Sequence, residues 1–175
     1  NVEGLLRAMP AGVPAIAVVP VPTRSAVNQL ELRHAIRTVL TAIHAELATS
    51  LTVVYLKDSS LDELTIVDAL GDRSEELIGL VLPLGTRVSG WVVANGRPII
   101  NTDTRLELPT WDGILSDSLC AAVPIRSTTE MVGVVLVSRT SKLPFALDEV
   151  RFLETVCAKF EEPPLQALIT RAITL

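Results

Sequence analysis

The residues best suited to chemistry in this 175-residue chain are few. Cys120 is the one nucleophile with carboxylates near it in sequence, Asp103 and Asp117. Together they would make at most a thiol with a general base. Cys157 falls in an apolar helical stripe, where a thiol serves as a small core side chain. Two cysteines cannot build a disulfide framework or a structural zinc site, and a reducing cytoplasm is the simplest compartment for them. His34 and His44 have no partner at metal-ligand spacing and read as surface residues. Trp111 is different, because a large aromatic on a polar loop needs something to cover.

The stretch around which these residues gather runs from Leu84 to Asp103. Gly85 permits a sharp turn, and Thr86 or Ser89 can cap the N–H groups that open a helix. Trp91 to Ala94 give an apolar helical body, and Asn95-Gly96 is a helix stop that tolerates the left-handed conformation. Pro98 is acceptable at a strand's start, and Ile99-Ile100 favour β structure. Asn101-Thr102-Asp103 end that strand with side chains that bond nearby backbone or face a ligand. The stretch carries no nucleophile, metal cluster or phosphate loop, and it reads as the floor of a small-molecule pocket.

Composition narrows the class. Hydrophobic residues make up 49% of the chain, aromatics 3%, and mean hydropathy is +0.44, so the core is built from Leu, Val, Ile and Ala. A net charge of -5, a pI near 5.0 and no Lys/Arg cluster argue against direct nucleic-acid binding. The longest uncharged run before Arg24, Ala8 to Thr23, falls short of the roughly 20 residues of a spanning helix and is interrupted by Pro10, Pro14, Pro20 and Pro22. No membrane partner is expected.

Residues 1–24 read as a tail or linker, or as an extra strand at Ile16 to Val19. From Ser25 to Ala48 the residues Leu32, Ile36, Val39, Leu40, Ile43 and Leu47 fall on one helical face, with Arg33, Arg37, Thr41 and Glu46 off it. That face either covers the domain's own sheet or forms a seam with a second copy. Leu51 to Leu56 and Glu63 to Leu70 read as a hairpin ended by Gly71. Residues 72–79 are polar and irregular, and Leu80 to Leu84 is extended. Thr104 to Asp117 has no period and is long enough to be a lid or binding loop. Leu119 to Ile125 and Met131 to Ser138 are apolar strands buried on both faces. Leu147 to Phe160 is a helix striped by Val150, Leu153, Cys157 and Phe160, with Asp148 and Glu149 in its first turn. Pro163-Pro164 break it, and a short helical extension follows over Leu165 to Ile173. The order of elements predicts an α+β domain whose antiparallel sheet is flanked by helices.

In this order and spacing the pieces resemble the GAF domain, a small-molecule sensor module of signalling proteins. The resemblance covers about residues 40–160. It rests on Val53-Val-Tyr-Leu56, Leu82-Pro-Leu-Gly85, Val88 to Pro98, Asp103, Ser118 to Ile125, Val132 to Leu136, and Pro144-Phe145 leading to Asp148-Glu149. It implies a central sheet of five or six strands, with terminal helices on one side and short helices and loops over the other. The domain would then span residues 25–175, with 161–175 as a C-terminal extension. It also implies a ligand pocket against one sheet face, with Tyr55, Trp91, Asp103, Trp111, Ser118, Cys120 and Arg126 as pocket candidates. Trp91 reads first as core packing, and Asp103 is also readable as a loop cap.

Departures from family patterns bear on ligand and chemistry. Phe145 and Asp148-Glu149 resemble the end of the cyclic-nucleotide signature, but Ser138-Arg139 stand where its Asn-Lys pair would be. Neither cysteine is followed by the histidine usual at bilin attachment, and methionine sulfoxide reductases of the family use several pocket cysteines. Ala146 stands where Ser or Thr often caps the last helix, at a cost of about 1 kcal/mol. The resulting expectation is a non-catalytic, cytoplasmic regulatory domain without a cofactor. An unidentified small molecule would be sensed, terminal helices would form a homodimer, and an attached output domain would receive the signal. The alternatives are a dimerisation module with a vestigial pocket and a Cys-dependent enzyme such as a methionine sulfoxide reductase.

Overall fold

The computed structural model describes residues 24–58, 60–108, 118–162 and 167. The expectations for residues 1–23, for Trp111 and the rest of the 109–117 segment, and for all of the C-terminal extension's helix but residue 167 lie outside these residues. The described chain forms α1 (Arg24–Glu46), β1 (Leu51–Asp58), β2 (Glu63–Gly71), β3 (Val81–Pro83), α2 (Arg87–Asn95), β4 (Ile99–Asp103), β5 (Leu119–Arg126), β6 (Met131–Arg139) and α3 (Leu147–Ala158). Single 3-10 turns occupy Ser74–Leu77, Thr104–Leu106 and Lys159–Glu161. The first lies in the segment expected to be irregular, and its Leu77 is fully buried.

Six antiparallel strands make one sheet in the order β3-β2-β1-β6-β5-β4. The expected α+β architecture is the observed one. The inner strands β1, β6 and β5 are apolar on both sides because alternate side chains enter separate cores. Val54, Ala121, Val123, Val135 and Val137 meet α1 and α3 on the first face. Leu51, Val53, Tyr55, Cys120, Ala122, Val134 and Leu136 meet β3, α2 and the 104–108 turn region on the second.

The two readings of α1 are now decided. Leu32, Ile36, Leu40 and Ile43 are buried against the domain's own sheet, and Val39 packs at the edge of the same core. Off that stripe, Arg37 reaches β2, bonding the buried carboxylate of Asp68 and, at 3.2 Å, the carbonyl of Ala69. His34 is exposed as expected, but His44 is half-buried. Its Nδ1 lies 3.0 Å from the Thr49 hydroxyl and 3.3 Å from that of Thr52, which closes the α1–β1 connection.

The first face is tied together by Arg139 at the end of β6. It donates to the Leu47 carbonyl at 2.8 Å, pairs with Glu149 at 2.5 Å and lies 4.3 Å over the Phe145 ring. Glu149 also accepts the Ala146 N–H at 2.8 Å, so α3 has half of a capping box although Ala146 offers no side-chain cap.

Prolines punctuate the margins of the sheet. Pro83 ends the outer strand β3, Pro98 precedes the outer strand β4, and Pro124 lies in β5 beyond its last residue paired with β4, Ala122. A residue without an N–H is tolerated where no neighbouring strand needs one.

Candidate functional site

Helix α2 is short, and its packing decides the shape of the second face. Gly96 ends it at φ 64°, with its N–H on the Val92 carbonyl at 2.8 Å, as the Asn-Gly stop predicted. Gly90 lets it approach the preceding turn: a Cβ there would stand 2.7 Å from the Pro83 carbonyl oxygen. The start of the helix differs from expectation. Thr86 is the N-cap residue, but its hydroxyl donates to the Pro83 carbonyl at 2.6 Å, and Ser89 makes no cap.

Glu107 supplies the cap from eighteen and nineteen residues away. Its Oε2 accepts the N–H groups of Ser89 at 3.0 Å and Val88 at 2.9 Å. Negative charge at a helix N-terminus is favourable, and two N–H donors to one carboxylate oxygen strengthen the hold. Arg87 returns the contact by donating from Nη1 to the Glu107 carbonyl at 2.7 Å. Arg87 also adopts φ 54°, an uncommon conformation for a residue with a Cβ. The reciprocal clamp holds it there.

This clamp stands at a cavity of about 190 Å³ lined by Tyr55, Ile66, Leu82, Arg87, Glu107 and Leu108, with Leu80 and Val81 at its outer wall. Tyr55 is 2% exposed and Glu107 1%. Burial first, and then the charge and nearness of Glu107, push the Tyr55 phenol well above its ordinary pKa. Ser89 is also beside Tyr55 and is fully buried. By strict geometry neither its hydroxyl nor Glu107 Oε1 is bonded, but the Tyr55 hydroxyl lies near enough to both side chains to interact with them. A larger groove of about 390 Å³ runs between α1 and the β1–β2 hairpin, but its polar lining, Gln29, Arg33, Lys57 and Asp58, is exposed or half-buried.

The pocket candidates named from the sequence are dispersed. Tyr55 lines the cavity. Cys120 is fully buried on the same face, with the Thr104 hydroxyl beside its sulfur, and burial pushes its thiol up to about 12. Ser118 is buried, and its carbonyl accepts the Thr104 N–H at 3.2 Å. Trp91, 39% exposed, sits on the outer side of α2. Asp103 pairs with Arg105 at 2.5 Å and accepts its N–H at 2.9 Å, the loop-cap role, and this holds its carboxyl down at about 2. Arg126 is exposed and donates to the Gly96 carbonyl. Three of the seven therefore lie on the second face and three at its outside, while Trp111 is outside the described residues. Glu107, Arg87 and Ser89 were missed as site residues. Glu107 lies in an aperiodic polar segment, where a lone carboxylate ordinarily reads as solvated.

Among the described residues no group of His, Cys, Asp and Glu is placed to hold a metal, and no helix is long and apolar enough to cross a membrane. Cys157 is on the buried face of α3 with its thiol also near 12, so neither thiol is set up as a nucleophile.

The sequence profile of the GAF domain matches residues 31–161. The chain belongs to the GAF domain family. GAF domains are typically regulatory sensor domains in signalling proteins. Solved GAF structures have the same fold. The GAF-B domain of DevS from Mycobacterium smegmatis is 19% identical with a TM-score of 0.61, covering 82% of this chain and 94% of that one. The GAF domain/HD domain protein from Geobacter sulfurreducens is 15% identical with a TM-score of 0.67, covering 87% and 99%. A type II free methionine-R-sulfoxide reductase from Thermoplasma acidophilum is also similar, at 12% identity and a TM-score of 0.62, covering 81% and 94%. At these identities the likeness is one of fold. No curated protein sequence matches the chain.

Proposed function

We propose that this GAF domain is a non-catalytic, small-molecule-sensing regulatory domain of a larger signal-transduction protein, working in the cytoplasm. The observation that carries the reading is the 190 Å³ cavity, where buried Tyr55 and Glu107 and the clamp residue Arg87 set a few fixed polar groups against apolar walls. Small-molecule sites have this character. Occupancy would act on α2 through the Glu107 cap and on the sheet through Tyr55. The terminal helices on the opposite face would carry the change to a homodimer partner and an output domain. A ligand shifts such an equilibrium only by its differential affinity for the two states.

A broad thermal-shift screen of metabolites against the purified 175-residue chain tests this reading. At least one compound should raise Tm in a saturable way, and Tyr55→Ala should weaken that response. A panel without any stabilising compound would instead favour a dimerisation module whose cavity is vestigial. The Cys-dependent alternative finds little support in two buried thiols held near 12.

A further inference from the structure

The accessible charge at the cavity belongs to Arg87. The other polar groups at that end are turned toward one another: Glu107 Oε2 accepts the Val88 and Ser89 amides, and the Tyr55 hydroxyl interacts with the Glu107 and Ser89 side chains. Tyr55, Ser89 and Glu107 are all buried, whereas Arg87 lines the same cavity and is exposed. Its Nη1 donates to the Glu107 carbonyl at 2.7 Å and its charge acts on the Tyr55 phenol. Glu107 and Tyr55 both line the cavity, so the guanidinium is held at its wall. A carbonyl is a neutral acceptor, and among the described residues Arg87 has no ion-pair partner. A guanidinium carries five N–H donors in a planar fork that fits a carboxylate, and the carbonyl occupies Nη1 alone. The opposing charge is that of Glu107. It lies against the N-terminus of α2, where two amides already bind it, and its Oε1 is shielded from solvent. An entering anion therefore meets the guanidinium before the carboxylate. Ile66, Leu82 and Leu108 make the remaining wall apolar. A cavity of about 190 Å³ equals the liquid volume of about six waters, so the body must be compact.

We propose that the cavity takes a compact monoanion: a carboxylate on a short branched apolar body, its oxygens on the Arg87 guanidinium and its body against Ile66, Leu82 and Leu108. The proposal rests on the sensing reading above and narrows it to a ligand class.

Three probes of one shape test it: 3-methylbutanoate, 3-methylbutan-1-ol and 3-methylbutylammonium, titrated at pH 7 and constant ionic strength into the ¹⁵N-labelled 175-residue chain. The Arg87 Nε–H and the Arg87 and Val88 amide shifts report binding. The carboxylate should saturate with a Kd at least about tenfold below that of the alcohol, as a charge-assisted bond requires, and the ammonium should leave all three signals unmoved. Arg87→Gln can still donate to the Glu107 carbonyl but lacks the charge, so it should bring the carboxylate-to-alcohol ratio to about one. A tenfold preference that survives in this variant puts the anion elsewhere and overturns the proposal. If the variant does not fold, the ranking and the Nε–H shift on the unaltered chain decide alone. An alcohol or ammonium that binds as tightly as the carboxylate overturns the anion class and leaves the sensing reading standing. Silence from all three also overturns it, and the sensing reading then stands or falls on the metabolite screen.

Discussion

A cysteine's reactivity is set by how much thiolate it holds, and here both thiols are held near 12 chiefly by burial. At pH 8 that leaves a thiolate fraction of about one in ten thousand. Neither Cys120 nor Cys157 should therefore react with Ellman's reagent within minutes in the folded chain, and both should react once guanidinium unfolds it. A fast native reaction at Cys120 would revive the reductase alternative. Tyr55 and Cys120 were named through the GAF resemblance, and strand alternation puts them on one face only once the pairing of β1, β6 and β5 is known. Glu107 was not named. Its role depends on α2, eighteen residues upstream, being short of a cap, and no local pattern signals that a loop carboxylate will turn inward. Trp91 misled for the opposite reason: its aromatic bulk suggested burial, but helical phase turned it outward.

At the scale of elements, α2 and α3 each show a terminus solved in an unexpected way. In α3 the Ala146 backbone is already extended, at φ -77° and ψ 163°, and the residue is exposed. Ala146→Ser should therefore add the missing half of the capping box and stabilise by about 1 kcal/mol, read as a rise of roughly 3 °C in Tm for a chain of this size. In α2 the sign reverses. A helix-interior glycine replaced by alanine ordinarily gains about 1 kcal/mol, but the added Cβ of Gly90→Ala would meet the Pro83 carbonyl at 2.7 Å. Backbone must move, and overpacking of that kind costs about 1–3 kcal/mol, so a net loss in denaturant unfolding is expected. The elements themselves were largely legible: strand and helix bounds follow the apolar periodicity to within a residue or two. What periodicity left open was the use of the α1 stripe, because a core face and a dimer seam share the same spacing.

Over the whole molecule, Arg139 joins the chain's entering and leaving helices to the central strand β6. It first, and the Ala146 N–H after it, hold the Glu149 carboxyl below its usual range. A lowered folded value stabilises above the unfolded carboxylate pKa of about 4.3 and stops doing so as pH falls through the lowered value. Arg139→Met should cost about 2 kcal/mol near pH 7, roughly one for the half-buried pair and one for the Leu47 carbonyl bond. Unfolding at pH 7, 4 and 3 should show the gap between the two proteins narrowing with acid; a gap that stays constant would remove Glu149 from the account. Pro83, Pro98 and Pro124 carry a different consequence. An outer strand with free N–H and C=O groups is a template on which foreign chains can zip, the route to edge-to-edge aggregation. Among the described residues the margin strand β3 is only three residues long and ends on Pro83, while β4 at the other margin begins just after Pro98 and is bent at Asn101, whose φ is 58°. Strand addition thus finds little purchase, and the surfaces left for assembly are those of helices and loops.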